Sequence, residues 1–369
     1  MFLPVLLVRD FGDMGWLVFA APNVIGAAAM GWVLRRRETA QRLAETHRPA
    51  GTAFSFVTIL FHAFFVGWII RGLVGEAAGI FTAVATAGLF FLGRRGRRDL
   101  IVAAAVLAVS LVLFAFAAWG PGVPEAIPLP TARLPMTGLL WLAPVCVFGF
   151  ALCPYLDLTF LRARASTTTN AAIAAFTLGF GIFFLLMIVF TLWYAPYLQP
   201  GYLAALPRPL AWIIAVHMML QTAFTVAVHW RAIGSAAGRN RLMPWIIAVG
   251  AMIALFIGMT ADRPRFAFIN GELVYRLFMS FYGLVFPAYA WLCMIPAHGS
   301  NAAPSREKLL VLAVTVAVAA PMFWMGFIAG RMIWLVPGLT VVLLARLALP
   351  RDSARRKVDV TAGRPITHS

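Results

Sequence analysis

The sequence predicts an all-α fold: a polytopic membrane helix bundle of about 11 transmembrane helices, N-terminus outside and C-terminus cytoplasmic. Three observations predict it. Of 369 residues, 62% are hydrophobic and 12% charged, whereas soluble domains carry roughly a quarter charged residues. The apolar residues gather into runs of about 20, the length an α-helix needs to cross the hydrocarbon core. Arginines alternate between rich and poor connections along the chain, as the positive-inside rule requires.

The opening "MFLPVLLV" stops at Arg9 and Asp10. It is too short for a spanning helix or for a signal-peptide core with its cleavage site, so no removed leader is expected. Spans follow near 14–34, 51–74, 76–93, 99–119, 137–160, 169–194, 209–230, 242–261, 270–295, 309–329 and 331–349. The connection after the first holds Arg35, Arg36, Arg37, Arg42 and Arg48, and that after the third Arg94, Arg95, Arg97 and Arg98. After the fifth come Arg162 and Arg164, after the seventh Arg231, Arg239 and Arg241, and after the ninth Arg306 and Lys308. The tail adds Arg351, Arg355, Arg356 and Lys357. The intervening connections hold Arg71, then Arg133, Arg208, the pair Arg263 and Arg265, and Arg331. Merging or dropping one helix would reverse every later loop.

The net charge of +17 is therefore read as topology and not as a nucleic-acid-binding patch. The expected organisation is one bundle over 1–350 in the cell inner membrane, with a disordered cytoplasmic tail over 351–369. The lipid bilayer is the expected partner, and no nucleic acid is expected. Cys146, Cys153 and Cys293 lie in apolar spans without CxxC spacing, which supports neither a disulfide framework nor a zinc site.

Polar groups inside hydrocarbon are expensive and mark functional or packing positions. Asn23 follows Pro22 and precedes Gly26. It either faces a cavity at a local helix opening or hydrogen-bonds a neighbour across a small-residue face. Ser55, Thr58 and His62 share one helix face, as a substrate or proton path or as a self-satisfied cluster. His217, Gln221 and Thr225 repeat every four residues beside Thr222 and form a second stripe. His62, His217 and His229 are the only histidines in spans; His229, beside Trp230 and Arg231, reads as interfacial, and haem ligation is not expected. Glu272 and Arg276 stand four apart, able to pair on one helix face.

The stretch "GFALCPYLDLTFLRAR", residues 149–164, places a proline and a carboxylate at the end of the fifth span. With about 1.5 Å rise per residue, a helix entering near 137 travels about 30 Å by Asp157, to the cytoplasmic boundary. Arg162 and Arg164 are close enough to neutralise it, making Asp157 a structural lock or gate. Pro154 leaves the carbonyl of Phe150 without its helical donor, a group that hydrocarbon requires to be satisfied elsewhere. Gly149 to Pro154 is the predicted helix break.

The run from Trp141 through Tyr194, with Gly149, Pro154, Asp157, Arg162 and Arg164 at comparable places, resembles part of the sodium:solute symporter family. The opening helix "GWLVFAAPNVIGAAAMGWVLRRR" similarly looks like the second core helix of that family's leucine-transporter fold. The resemblance implies a secondary transporter and covers about half the chain. It also implies that the discontinuous first core helix is missing or reduced to "MFLPVLLVRD". The seventh span offers Gln221, Thr222 and Thr225 in place of the family's Ser-Thr pair for sodium, so coupling by sodium or protons is left open. No HExxH, GxSxG, paired intramembrane carboxylates or phosphate-cradling loop is present, so no enzyme is expected.

These readings predict a transporter-like protein for a small neutral or zwitterionic solute, with a cavity bounded by the first, second, fifth and seventh spans. Asn23, Thr58, His62, Gln221 and Thr222 are its expected lining. The alternative is a non-transporting sensor, scaffold or complex subunit on the same fold.

Overall fold

Leu3–Phe11 (α1), far too short to span a bilayer, is buried from Pro4 to Phe11. Gly12, at φ 72°, reverses the chain in a left-handed conformation that glycine adopts at least cost, and Asp13–Val33 (α2) returns alongside α1. The structure, a computed structural model, describes residues 2–92, 98–120, 131–199, 206–236, 242–295 and 303–349. The expected tail at 351–369 and Arg94, Arg95, Arg97, Arg239 and Arg241 lie outside them.

The helices that follow are Arg37–Thr46 (α3), Arg48–Val74 (α4), Ala77–Leu92 (α5) and Arg98–Trp119 (α6). Then come Gly138–Leu152 (α7), Leu158–Ala165 (α8), Thr169–Tyr194 (α9) and Arg208–Ala236 (α10). Met243–Thr260 (α11), Gly271–Met294 (α12), Arg306–Ile328 (α13) and Met332–Ala348 (α14) complete the chain. No strand occurs among the described residues.

Nine of the described helices are long and apolar enough to cross a membrane; the chain is a multi-pass integral membrane protein built as an all-α bundle. α5 and α14, the third and eleventh expected spans, are shorter. The 16 residues of α5 rise about 24 Å, less than the ~30 Å hydrocarbon core.

Burial separates inner helices from outer ones. In α4 and α10, 56% of the most apolar stretch is buried, against 17% in α6. Ile80, Leu100, Trp119 and Trp245 lie on the exposed faces of the outer helices, the surface a bilayer would cover.

Two sets of cross-links define the ends. At the basic end, Arg164 donates to the carbonyls of Leu34 and Arg35, Thr169 to Arg35, and Arg231 to those of Leu89 and Phe90 and to Asp99. At the opposite end, Leu134 N–H donates to Asp10, Trp68 to Asp262, and Arg9 and Arg276 bind Glu272. Arg35 after α2, Arg164 after α7 and Arg231 near the end of α10 are thus held by the ends of neighbouring helices.

Several helices depart from regular α geometry, some within their length and some at their C-terminal ends. π-type turns interrupt α4 at Val66–Ile70, α9 at Gly179–Phe184, α12 at Phe281–Val285 and Ala290–Met294, and α13 at Trp324–Ile328. Such single turns cluster at functional sites.

Candidate functional site: a central cavity

The chain leaves α geometry after Leu152, not from Gly149. α7 runs regularly through Gly149, whose carbonyl accepts from Cys153 N–H. A tight 3-10 turn then spans Cys153–Leu156, Asp157 is extended, and α8 starts at Leu158. Proline has no N–H to give to residue 150, yet its fixed φ suits the first turn of a helix. The chain therefore tightens at Pro154 and restarts after Asp157, leaving Gly149 inside the helix. Gly149 packs instead on the Tyr282 carbonyl within the first π-turn of α12, and the Cys153 thiol donates to that carbonyl at 3.4 Å. The released carbonyl of Phe150 meets the backbone at Gly26 of α2, where any Cβ would overlap it. This close approach is the kind of Cα–H···O contact that small-residue helix interfaces permit.

Asp157 is the N-cap of α8 and is not paired with Arg162 or Arg164, which corrects the expected lock. Its Oδ1 accepts from Thr159 N–H at 2.8 Å, Thr159 Oγ1 at 2.6 Å and Phe160 N–H at 3.4 Å. The new helix start presents preorganised donors and a positive dipole end to the carboxylate, nearer than either arginine can come. Arg162 is exposed, and Arg164, fully buried, instead caps the end of α2 and donates to the Thr167 carbonyl at 3.2 Å. Cations at a helix C-terminus are favoured by the dipole and by the orphan carbonyls there. Arg164 is thus a lock, with α2 as its partner.

Below this break, a cavity of about 270 Å³ occupies the middle of the bundle. All five expected lining residues reach it: Asn23 from α2, Thr58 and His62 from α4, Gln221 and Thr222 from α10. Gly149 and Asp157 line it as well. α2 stays continuous through Pro22, with Asn23 on the cavity wall. Thr58 Oγ1 donates to the Phe54 carbonyl at 2.9 Å and lies 2.7 Å from the Tyr282 hydroxyl. His62 Nδ1 is 2.7 Å from the Thr58 carbonyl. Gln221 donates from Nε2 to Ser110 Oγ at 3.0 Å, and Thr225 turns back to the Gln221 carbonyl.

α12 was missed as a wall. Tyr275, Met279 and Tyr282 line the cavity at spacings of four and three, one helix face, a pattern visible in the sequence. The short α1 was missed too. Its first residues, Phe2, Leu3 and Pro4, line the cavity, and Phe2 packs edge-on against Trp68 and Tyr275 at 5.2 and 5.5 Å between ring centres. His229 is not interfacial but buried, with Nδ1 3.1 Å from Ser55 Oγ and Nε2 3.8 Å from Asp157 Oδ2. No sequence pattern links residues so far apart.

The far end of α1 is closed by four charges. Arg9 donates from Nη1 and Nη2 to the two Glu272 oxygens at 2.7 and 2.8 Å and from Nε to Asp10 at 2.9 Å. Arg276 donates from Nε to Glu272 at 2.9 Å, from Nη2 to Asp10 at 2.9 Å and from Nη1 to the Phe327 carbonyl at 2.7 Å. The expected Glu272–Arg276 pair is present, and it ties α12 to α1 and α13.

Compared with protein-family models, curated proteins and solved structures, the chain matches none.

Proposed function

We propose that this integral membrane protein carries a small neutral or zwitterionic solute through the central cavity. One observation carries the reading: polar side chains from α2, α4 and α10, scattered over two hundred residues of sequence, converge with the α7 break and an α12 π-turn on one cavity. A volume of about 270 Å³ lies just below the ~300–1,000 Å³ of pockets for drug-sized ligands, which suits a smaller solute. Among the described residues Asp157 is its one carboxylate and neither Lys nor Arg lines it, so a strongly charged solute would lack a counter-charge there. Interrupted helices at the midplane are how secondary transporters expose backbone groups to substrate.

The resemblance to sodium:solute symporters belongs to this proposal, with α1 in the place of the reduced first core helix. So does the orientation: the basic end in the cytoplasm and the N-terminus outside, in the cell inner membrane. The test is uptake of a pooled metabolite set into proteoliposomes, with and without sodium and proton gradients. Accumulation of a solute that is lost on Thr58→Val and Gln221→Ala supports the reading; folded protein that moves no solute under any gradient counts against it.

A second reading is a sensor, scaffold or complex subunit. The four-charge lock on α1 favours it, because a fixed bundle gains from such a lock and a moving one must break it. Identical cavity accessibility to thiol reagents at Cys146 and Cys153 in all gradient conditions would support that reading.

A further inference from the structure

Asp157, His229 and Ser55 form a row at the basic end of the cavity. Asp157 Oδ1 is occupied by Thr159 and Phe160, so Oδ2 is the oxygen left to face His229 Nε2 at 3.8 Å. The other ring nitrogen, Nδ1, sits 3.1 Å from Ser55 Oγ. A neutral imidazole has one N–H and can donate at only one of these contacts; the imidazolium donates at both. In one neutral tautomer, a bare Nε2 lone pair would face a carboxylate. The spacing of 3.8 Å is beyond hydrogen-bond length and within the range over which opposite charges attract strongly away from water.

Both groups line the cavity, whereas Ser55 is wholly buried and does not. The row is thus no nucleophile with a base behind it. It has an acid–base pair on the cavity wall and a buried hydroxyl beside the ring.

We infer that Asp157 and His229 form one proton-binding site at the cavity's basic end; on the transport reading above, on which this part rests, the proton is the coupling ion. The proton comes from water in the cavity, binds His229 Nε2 and makes an imidazolium that faces the Asp157 carboxylate. Release returns it to water and leaves the net charge of the pair at −1, which the N-terminus of α8 stabilises.

The other titratable groups around the pair are consistent with this role. Cys153 comes from the α7 turn, Tyr282 from α12, and His62 from α4. On α8 and α10, Arg164 is held by the Leu34, Arg35 and Thr167 carbonyls, Arg231 by Asp99, and Arg162 is exposed. None of these arginines makes an ion pair with Asp157; the basic group facing its Oδ2 is His229.

The test follows protonation directly, without a transported solute. The full chain, labelled with ¹⁵N-histidine and ¹³C-aspartate, is titrated in lipid nanodiscs, and Asp157→Asn and His229→Gln assign the signals. Coupled groups share macroscopic midpoints, so the wild-type His229 and Asp157 signals are expected to move together. Asp157→Asn keeps an N-cap acceptor and is expected to weaken proton binding at His229 by about tenfold or more, about one pKa unit. Independent titration of the two groups in the wild type, or an unmoved His229 midpoint in Asp157→Asn, overturns the site.

A second arm separates this from the transport reading. Proteoliposomes carrying the pooled metabolites are driven by a pH gradient or by a sodium gradient alone. Uptake under the pH gradient that His229→Gln abolishes supports the coupling role, and uptake under sodium alone overturns it. Coupled titration with no uptake of any solute supports the proton site and refutes transport. Uptake with uncoupled titration does the reverse.

Discussion

Replacing Glu272 by Gln removes one of two acids from a network that holds two arginines. Both guanidinium groups would then depend on Asp10, with Arg276 keeping the Phe327 carbonyl. At charge separations of ~4 Å and an effective dielectric near ~20, one arginine–carboxylate attraction is worth ~4 kcal/mol before desolvation is subtracted. Truncating one partner of a buried, hydrogen-bonded charge pair costs ~2–5 kcal/mol. The Glu272 side chain is 33% exposed and that of Asp10 only 7%. Solvent therefore relieves the first loss more than the second: Glu272→Gln should cost ~2 kcal/mol and Asp10→Asn ~3–4 kcal/mol. The assay is reversible unfolding in mixed micelles, extended to a double-mutant cycle with Arg9→Gln, where the bidentate pair should give a coupling of ~1–2 kcal/mol. A cost below ~0.5 kcal/mol for Glu272→Gln, a larger cost there than at Asp10, or strict additivity with Arg9→Gln would refute the reasoning.

Gly26→Ala puts a Cβ against the Phe150 carbonyl and should cost ~1–3 kcal/mol by overpacking; unfolding indistinguishable from wild type would show that α2 and α7 can separate freely there. Arg164→Gln removes the cap on α2 and should cost at least ~2 kcal/mol, because the carbonyls of Leu34 and Arg35 lose a charged donor in a buried setting; an unchanged midpoint refutes the cap. His47, buried beside the Tyr289 hydroxyl at 3.0 Å, has its pKa pushed below the ordinary 6.5 by burial. The unfolded chain then binds the proton first, so His47 should lower stability as pH falls from about 6.5 toward the folded value and have no effect above it. His47→Gln should flatten that part of the stability–pH curve, and an unaltered slope between pH 7 and pH 5 would count against it.

Much of the bundle was legible because hydrocarbon imposes a blunt rule on sequence. A span must be apolar over ~30 Å and keep its charges at its ends, so the nine long helices from α2 to α13 appear as runs broken by arginine, whereas the short polar helices α3 and α8 do not. The lining of the cavity was legible for the same reason. Asn23, Thr58, His62, Gln221 and Thr222 are costly in lipid, and facing inward is the cheapest solution. α1 escaped because nine residues fail the length criterion; it is buried by α2, α9 and α12 wrapping it, which its own sequence does not encode. The position of the break was misplaced by a few residues. Pro154 announces a lost hydrogen bond, but whether the chain tightens before or after it depends on what receives the free carbonyl, here Gly26 of another helix.

The sequence by itself determined the membrane as solvent, the all-α class, the sorting of basic connections and the set of polar residues that must avoid lipid. These follow from composition and spacing along one chain, because transfer free energy acts on each segment separately. Only the tertiary structure decided partners. Asp157 met His229 and the α8 amides in place of the nearby arginines, Arg164 met α2, and Arg9 with Asp10 met Glu272 with Arg276. Hydrogen bonds and ion pairs reach only a few ångströms, so which groups pair is fixed by how helices distant in sequence pack.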